Sequence, residues 1–170
     1  YEKAAESFSN AIGYRNDYDE ARYYRARSYY WIKNYIKSIR DLNTLLLKDK
    51  KNEYYYFRAW AYYGNEDYAF AEDDFTNSIQ LSNKEDRAES YFGRGWAKLS
   101  NNQAQKSIND FTQAIRINKI PKYYLGRFSA WENLKAGKKA CEDLRNYFIA
   151  GGLRSDMADQ SRWYYDQNCN

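Results

Sequence analysis

Apolar and polar positions alternate along this chain with a helical period. In the stretch 54–81, YYYFRAWAYYGNEDYAFAEDDFTNSIQL, the first run (54–63) is apolar on nearly every side, with Arg58 the main exception. A helix that is apolar all round must be covered on more than one face. Gly64 and Asn65 then break the run. The second run, 67–81, sets Ala71, Phe75, Ser78 and Ile79 on one face, and Glu72, Asp73 and Asn77 on the other. One helical hairpin cannot cover its own first helix, whereas stacked copies of it can.

The copies are present. Arg58 is followed by Asp74 after 16 positions, and the same step separates Arg25 from Asp41, Arg94 from Asp110 and Arg127 from Asp143. From one Arg to the next the spacing is 33, 36 and 33. Each Asp precedes a bulky apolar residue: Leu42, Phe75, Phe111 and Leu144. Phe8 extends the series to a partial fifth copy, and small residues keep the register at Ala4, Ser38, Ala71, Ser107 and Ala140. A period of about 34 residues marks a solenoid of antiparallel helix pairs. We therefore expect an all-α chain.

Taken in order, helices are expected at 1–14, 20–32, 35–48, 54–63, 67–81, 88–99, 104–117, 121–134, 138–149 and 155–168. Pro121 suits a first helical position, and Gly151 and Gly152 stop the ninth helix. The wider spacing of 36 falls in the loop 82–87. The domain division is one array over 1–170: a partial repeat at 1–18, repeats at 19–51, 52–85, 86–119 and 120–152, and a capping segment at 153–170. Met157, Trp163 and Tyr164 are candidates to cover the last repeat, because a solenoid needs a cap over its exposed face. The chain opens in a second helix without its first, so we expect a fragment of a longer protein.

These residues carry a family resemblance. Ala4, Phe8, Ala11 and Ile12, and again Ser107, Phe111, Ala114 and Ile115, resemble the second helix of a tetratricopeptide repeat. The run Tyr-Phe-Gly-Arg-Gly-Trp-Ala at 91–97 resembles its first helix. The likeness spans almost the whole chain. It implies a right-handed superhelical solenoid of about four complete repeats, with an N-terminal half repeat and a C-terminal capping helix. Departures affect local packing: the small residue at Ala26, Ala59 and Gly95 becomes Phe128, and that at Ala11 and Ala114 becomes Leu45 and Tyr147. The end, Lys139-Ala-Cys-Glu-Asp-Leu with Cys169, is similar to the last repeat of small bacterial members.

Arg25 and Asp41 lie symmetrically about a turn centred on Lys33 and Asn34, so an antiparallel hairpin sets them at one height. We expect structural ion pairs in every complete repeat: Arg25 with Asp41, Arg58 with Asp74, Arg94 with Asp110, and Arg127 with Asp143. Partly buried pairs of this kind fix register more than they add stability. Catalysis has little to work with. The chain has no His, hence no imidazole base and no His ligand. The two glycines in Phe92-Gly-Arg-Gly lack phosphate-loop spacing, and Glu72, Asp73 and Asp74 read as a solvated acidic face. We expect no enzyme activity, no metal and no cofactor. Cys141 and Cys169 are either two unpaired thiols or a disulfide clamping the cap. A disulfide would imply an oxidising, extracytoplasmic compartment; without it the compartment is open, the cytoplasm included.

Charge is mild, with 27 basic against 23 acidic residues, which argues against nucleic acid as a partner. No run of about 18 apolar residues exists to span a membrane. The chain is strongly aromatic, with 20 Tyr, 5 Trp and 8 Phe. Positions at i, i+4 and i+7 of each first helix form one face: Tyr23, Arg27 and Tyr30; Tyr56, Trp60 and Tyr63; Phe92, Trp96 and Leu99; Leu125, Ser129 and Glu132. The resemblance implies that these line a concave groove, which suits a protein or peptide partner. Trp60 and Trp96 are the foremost contacts. The family's carboxylate-clamping groove is cationic, whereas Arg27 is the one cation here, so an acidic chaperone tail is not expected. The alternative is a carbohydrate or small molecule on stacked rings; single-stranded RNA is a third reading, with a steep salt dependence. The open N-terminal edge offers a route to self-association.

Overall fold

The computed structural model describes residues 1–153 and 159–169. Among these residues every regular element is an α-helix: α1 (Glu2–Tyr14), α2 (Asp19–Trp31), α3 (Tyr35–Leu46), α4 (Asn52–Gly64), α5 (Tyr68–Leu81), α6 (Asp86–Ser100), α7 (Ala104–Ile117), α8 (Pro121–Asn133), α9 (Gly137–Ile149) and α10 (Asp159–Asn168). Two compact units divide between Ser82 and Asn83, so α1–α5 form the first and α6–α10 the second. The division falls in the loop that absorbs the wider repeat spacing. That loop is shorter than expected, because α6 starts at Asp86. Met157 and the start of the expected 155–168 helix lie outside the described residues.

The hairpins turn at Lys33, Glu66, Asn102 and Lys135, with φ of +60°, +65°, +57° and +57°. The backbone is thus left-handed at one repeating position, a conformation that costs an L-residue about 1–2 kcal/mol and that Asn tolerates best. Gly64 and Asn65 are not themselves the reversal: Gly64 closes α4, and the left-handed residue is Glu66. The glycine answers a packing need instead, because a Cβ there would run into the ring of Tyr35.

In the first unit Ala26, Leu42, Leu45 and Tyr54 form a core cluster. No residue of 54–64 is exposed, as an all-round apolar helix requires. On α5, Ala71, Phe75, Ser78 and Ile79 are buried. Asp73 is exposed, but Glu72 and Asn77 are half-buried, so that face is less open than the pattern suggests. In the second unit Phe111 is the central wedge. A Cβ on Gly95 of α6 would lie 2.7 Å from its ring, and one on Gly126 of α8 would lie 2.6 Å from it. Phe128, standing where earlier repeats have a small residue, is 1% exposed and meets Tyr164 of α10 edge-on at 5.3 Å.

Candidate functional site

In all four complete hairpins the Arg of the first helix grips the Asp of the second with two hydrogen bonds. Arg25 donates from Nε and Nη2 to Asp41 at 2.8 and 2.7 Å. Arg58 does so to Asp74 at 2.6 and 2.7 Å. Arg94 reaches Asp110 at 3.0 and 2.7 Å, and Arg127 reaches Asp143 at 2.9 and 2.6 Å. The planar guanidinium matches a carboxylate in this forked geometry. All four Asp are buried. Burial pushes the Asp74 and Asp143 carboxyls above their ordinary range, against the opposing pull of Arg58 and Arg127.

The guanidinium also reaches backward, which the spacing of Arg and Asp did not signal. Arg25 Nη1 donates to Ser9 Oγ of α1 at 3.2 Å, Arg58 Nη1 to Asn43 Oδ1 of α3 at 2.7 Å, and Arg127 Nη1 to Thr112 Oγ1 of α7 at 3.0 Å. Each of these Arg therefore ties its own pair of helices to the pair before. A short polar side chain recurs at the acceptor position, but as Ser, Asn or Thr, and so hides from a search for identical residues. Lys98 adds a further bond to Asp110 Oδ2 at 2.7 Å. The forked bonds occupy both oxygens of each carboxylate, a geometry that fixes the register of the hairpin.

In the first unit all six candidate face residues, Tyr23, Arg27, Tyr30, Tyr56, Trp60 and Tyr63, are half-buried. Ring and cation contacts connect Tyr23, Arg27, Tyr56, Trp60 and Tyr63, while Tyr30 packs apart from them. Trp60 meets Phe75 at 5.2 Å and Tyr63 at 5.6 Å, both edge-on, and Tyr56 meets Phe57 at 5.5 Å. Tyr23 meets Phe57 at 5.7 Å, and Tyr30 meets Tyr35 at 5.9 Å. Such pairs lock ring orientation beyond what area burial gives. Arg27 is not an isolated cation: its guanidinium lies 4.8 Å from the centre of Phe57 and 5.6 Å from those of Tyr23 and Tyr24. Burial pushes the Tyr23 phenol well above its ordinary value and raises that of Tyr30. Both hydroxyls stay neutral across the physiological range.

In the second unit Phe92 meets Tyr123 at 5.3 Å, and Trp96 meets Phe111 at 5.7 Å. Both are half-buried. The corresponding positions on α8 are engaged locally. Ser129 Oγ donates to the Leu125 carbonyl at 3.0 Å, and Glu132 Oε1 accepts from Gln160 Nε2 of α10 at 3.2 Å. The cap thus borders this last face, which the sequence pattern did not indicate.

Cys141 and Cys169 form a disulfide, with Cα atoms 5.2 Å apart. Of the two alternatives, unpaired thiols are therefore excluded in this structure, because α10 returns its end to α9. Arg145 Nη2 donates to the Cys169 carbonyl at 3.1 Å beside the bond. Among the described residues, no helix is long and apolar enough to cross a membrane, and no group of three His, Cys, Asp or Glu is placed to hold a metal ion.

No protein-family model and no curated protein matches the sequence. Solved structures match it in fold. MamA of Desulfovibrio magneticus is 16% identical with a TM-score of 0.80, over 92% of this chain and 88% of that one. A thermophilic tetratricopeptide-repeat protein of Thermus thermophilus is 15% identical with a TM-score of 0.73, over 96% and 88%. YrrB, described as a tetratricopeptide-repeat protein with an unusual peptide-binding site, is 15% identical with a TM-score of 0.69, over 95% and 84%.

Proposed function

We propose that this chain, which has the tetratricopeptide-repeat fold, is a non-catalytic interaction module that holds an extended peptide segment of a protein partner. In the first unit the contact surface is the face of Tyr23, Arg27, Tyr30, Tyr56, Trp60 and Tyr63. In the second it is the face of Phe92 and Trp96. The observation that carries this reading is the connected, half-buried row of rings on α2 and α4. Each ring is braced from behind by Phe57 or Phe75 or by a neighbour, and still keeps exposed surface. Rigid aromatic anchors of this kind dominate binding energy at interfaces, since little conformational freedom remains to be lost. Neutral phenols supply hydrogen bonds to a peptide backbone.

The chemistry favours an apolar or aromatic segment over an acidic one. The only cation of the row, Arg27, is already stacked on rings. The solved relative with a peptide-binding site, YrrB, supports the reading by fold alone.

Panning a displayed peptide library against the chain tests it. Apolar-rich peptides are expected, with affinity little changed by salt. Trp60→Ala should weaken the selected peptides about tenfold or more, equivalent to about 1.4 kcal/mol, with helical circular dichroism retained. If Trp60→Ala and Trp96→Ala both bind the selected peptides as the parent does, the proposal fails.

A further inference from the structure

Beside the Cys141–Cys169 bond lies a cleft of about 330 Å³, lined by Gly137, Lys138, Cys141, Arg145 and Asn168. Both cysteines are otherwise buried, at 7% and 5% exposure, so the cleft brings solvent up to an enclosed bond. Lys138, Arg145 and Asn168 are exposed around it. On α9, Lys138 precedes Cys141 by three positions and Arg145 follows it by four, so both cations share its face. Arg145 is held beside the bond by its donation to the Cys169 carbonyl at 3.1 Å. Glu142 is turned about 100° round the helix from Cys141, and among the described residues no carboxylate lines the cleft.

This setting suits thiol–disulfide exchange with a negatively charged thiol. Exchange begins when a thiolate attacks one sulfur and expels the other. Cations at the mouth of a cleft concentrate an anionic reagent there. The entering thiolate meets the Cys141 sulfur. A mixed disulfide forms on Cys141, and Cys169 leaves as a thiolate that takes a proton from water. A second thiolate then attacks the sulfur of the bound reagent. That step gives the reagent's own disulfide and expels the Cys141 thiolate, which Lys138 and Arg145 favour over the thiol. Two reagent thiols are thereby oxidised to one disulfide, and the protein's disulfide is reduced to two thiols.

What the reaction frees is α10. None of the helix's own residues is buried, whereas Cys169, just beyond its end, belongs to the core cluster with Cys141, Leu144 and Tyr147. Apart from the disulfide and single hydrogen bonds, α10 rests on edge-on contacts of Tyr164 with Phe128 and of Tyr165 with Phe148. So short a helix has little stability of its own. We infer that the cleft is the entry site for a negatively charged thiol, and that the disulfide is a latch which such a thiol opens, releasing α10 from the last hairpin. The inference is independent of the peptide-binding proposal.

Treating the folded chain with mercaptoethanesulfonate or with cysteamine, at equal thiolate concentration and low salt, tests it. The two reagents share a scaffold and differ in the sign of the distal charge. The sulfonate should open the disulfide about tenfold faster, read by alkylating the freed thiols and measuring mass. Added salt should narrow the gap, and so should Lys138→Gln. A substitution that merely loosened the cap would instead speed both reagents. In the opened chain, hydrogen exchange should rise in α10 and stay as in the parent in α1–α7. Cysteamine as fast as the sulfonate overturns the inference, as does a gap that Lys138→Gln leaves intact. So does a disulfide that neither reagent opens in the folded chain, or an α10 as protected after opening as before.

Discussion

In the second unit the last hairpin lies under a further helix: Phe128 is 1% and Tyr147 2% exposed, and Tyr164 and Tyr165 of α10 pack on Phe128 and Phe148. In the first unit Tyr14 of α1 and Tyr24 and Trp31 of α2 are exposed, while Phe8, Tyr23, Tyr29 and Tyr30 are half-buried. The hairpins are otherwise built alike, with the same Arg–Asp fork and the same left-handed turn position. Whether the amphipathic face of a repeat is buried thus depends on what covers it, not on the face alone. The cover in the second unit is slight. α10 is short and none of its own residues is buried, and a helix of that length is marginal by itself. Its hold comes from the ring contacts, from Arg145 and from the disulfide that follows it.

The largest expected effect separates the two units. Replacing Cys141 and Cys169 by Ser should cost about 3–4 kcal/mol on the chain-entropy model for a loop of this length. Hydrogen exchange should rise in α8–α10 and stay unchanged in α1–α3. Equal loosening of both units would mean that the cap is not a local device. Next come the forks. Asp74→Ala and Asp143→Ala each strand a half-buried guanidinium, and each should cost about 3 kcal/mol in urea unfolding. A parent-like stability for either would show that the fork in that unit contributes nothing.

Gly126→Ala drives a Cβ against the Phe111 ring and should cost about 1–3 kcal/mol, whereas Gly13→Ala, with open space around it, should be near neutral or stabilising. Smaller still, Lys33→Gly in the first unit and Lys135→Gly in the second should each stabilise by about 0.5–1 kcal/mol, since glycine adopts the left-handed turn without penalty. Finally, pH separates the buried carboxylates from ordinary ones. Because burial raises the folded-state values of Asp74 and Asp143, the folded chain takes up these protons before the unfolded chain does. Each group contributes stability that is present below the unfolded carboxylate value and is lost as pH rises through the folded one. The parent should therefore gain stability relative to Asp74→Asn on acidification. A relative loss would mean that Arg58 outweighs burial.

Much of this fold is written in two residue types. The Arg-to-Asp step of 16 places every hairpin, because both partners of the fork lie in one repeat and do not vary. The third partner escapes because it lies in the preceding repeat and is Ser9, Asn43 or Thr112, three residues of one function. Gly64 and Asn65 end the run as the pattern indicates, α4 closing at Gly64; which residue takes the left-handed backbone is not legible, since the glycine makes room for Tyr35 and Glu66 has the positive φ. The candidate face is legible as a row of rings at i, i+4 and i+7. Which of its members are already engaged is not: Arg27 lies over three rings, and Glu132 is held by Gln160. Arg27 meets Tyr23 and Tyr24 within α2, but its contact with Phe57 of α4 and that of Glu132 with Gln160 of α10 join separate elements, so no local pattern announces them. The cysteine pairing likewise depended on how the chain returns after α9.

The most direct test of the docking face is a hydrogen-exchange footprint of a panned peptide bound to the parent chain. We expect protection concentrated on α2 and α4, little on α3 and α5, and loss of the whole footprint in Trp60→Ala. Protection confined to the second helices, or a footprint that Trp60→Ala leaves intact, would contradict the assignment.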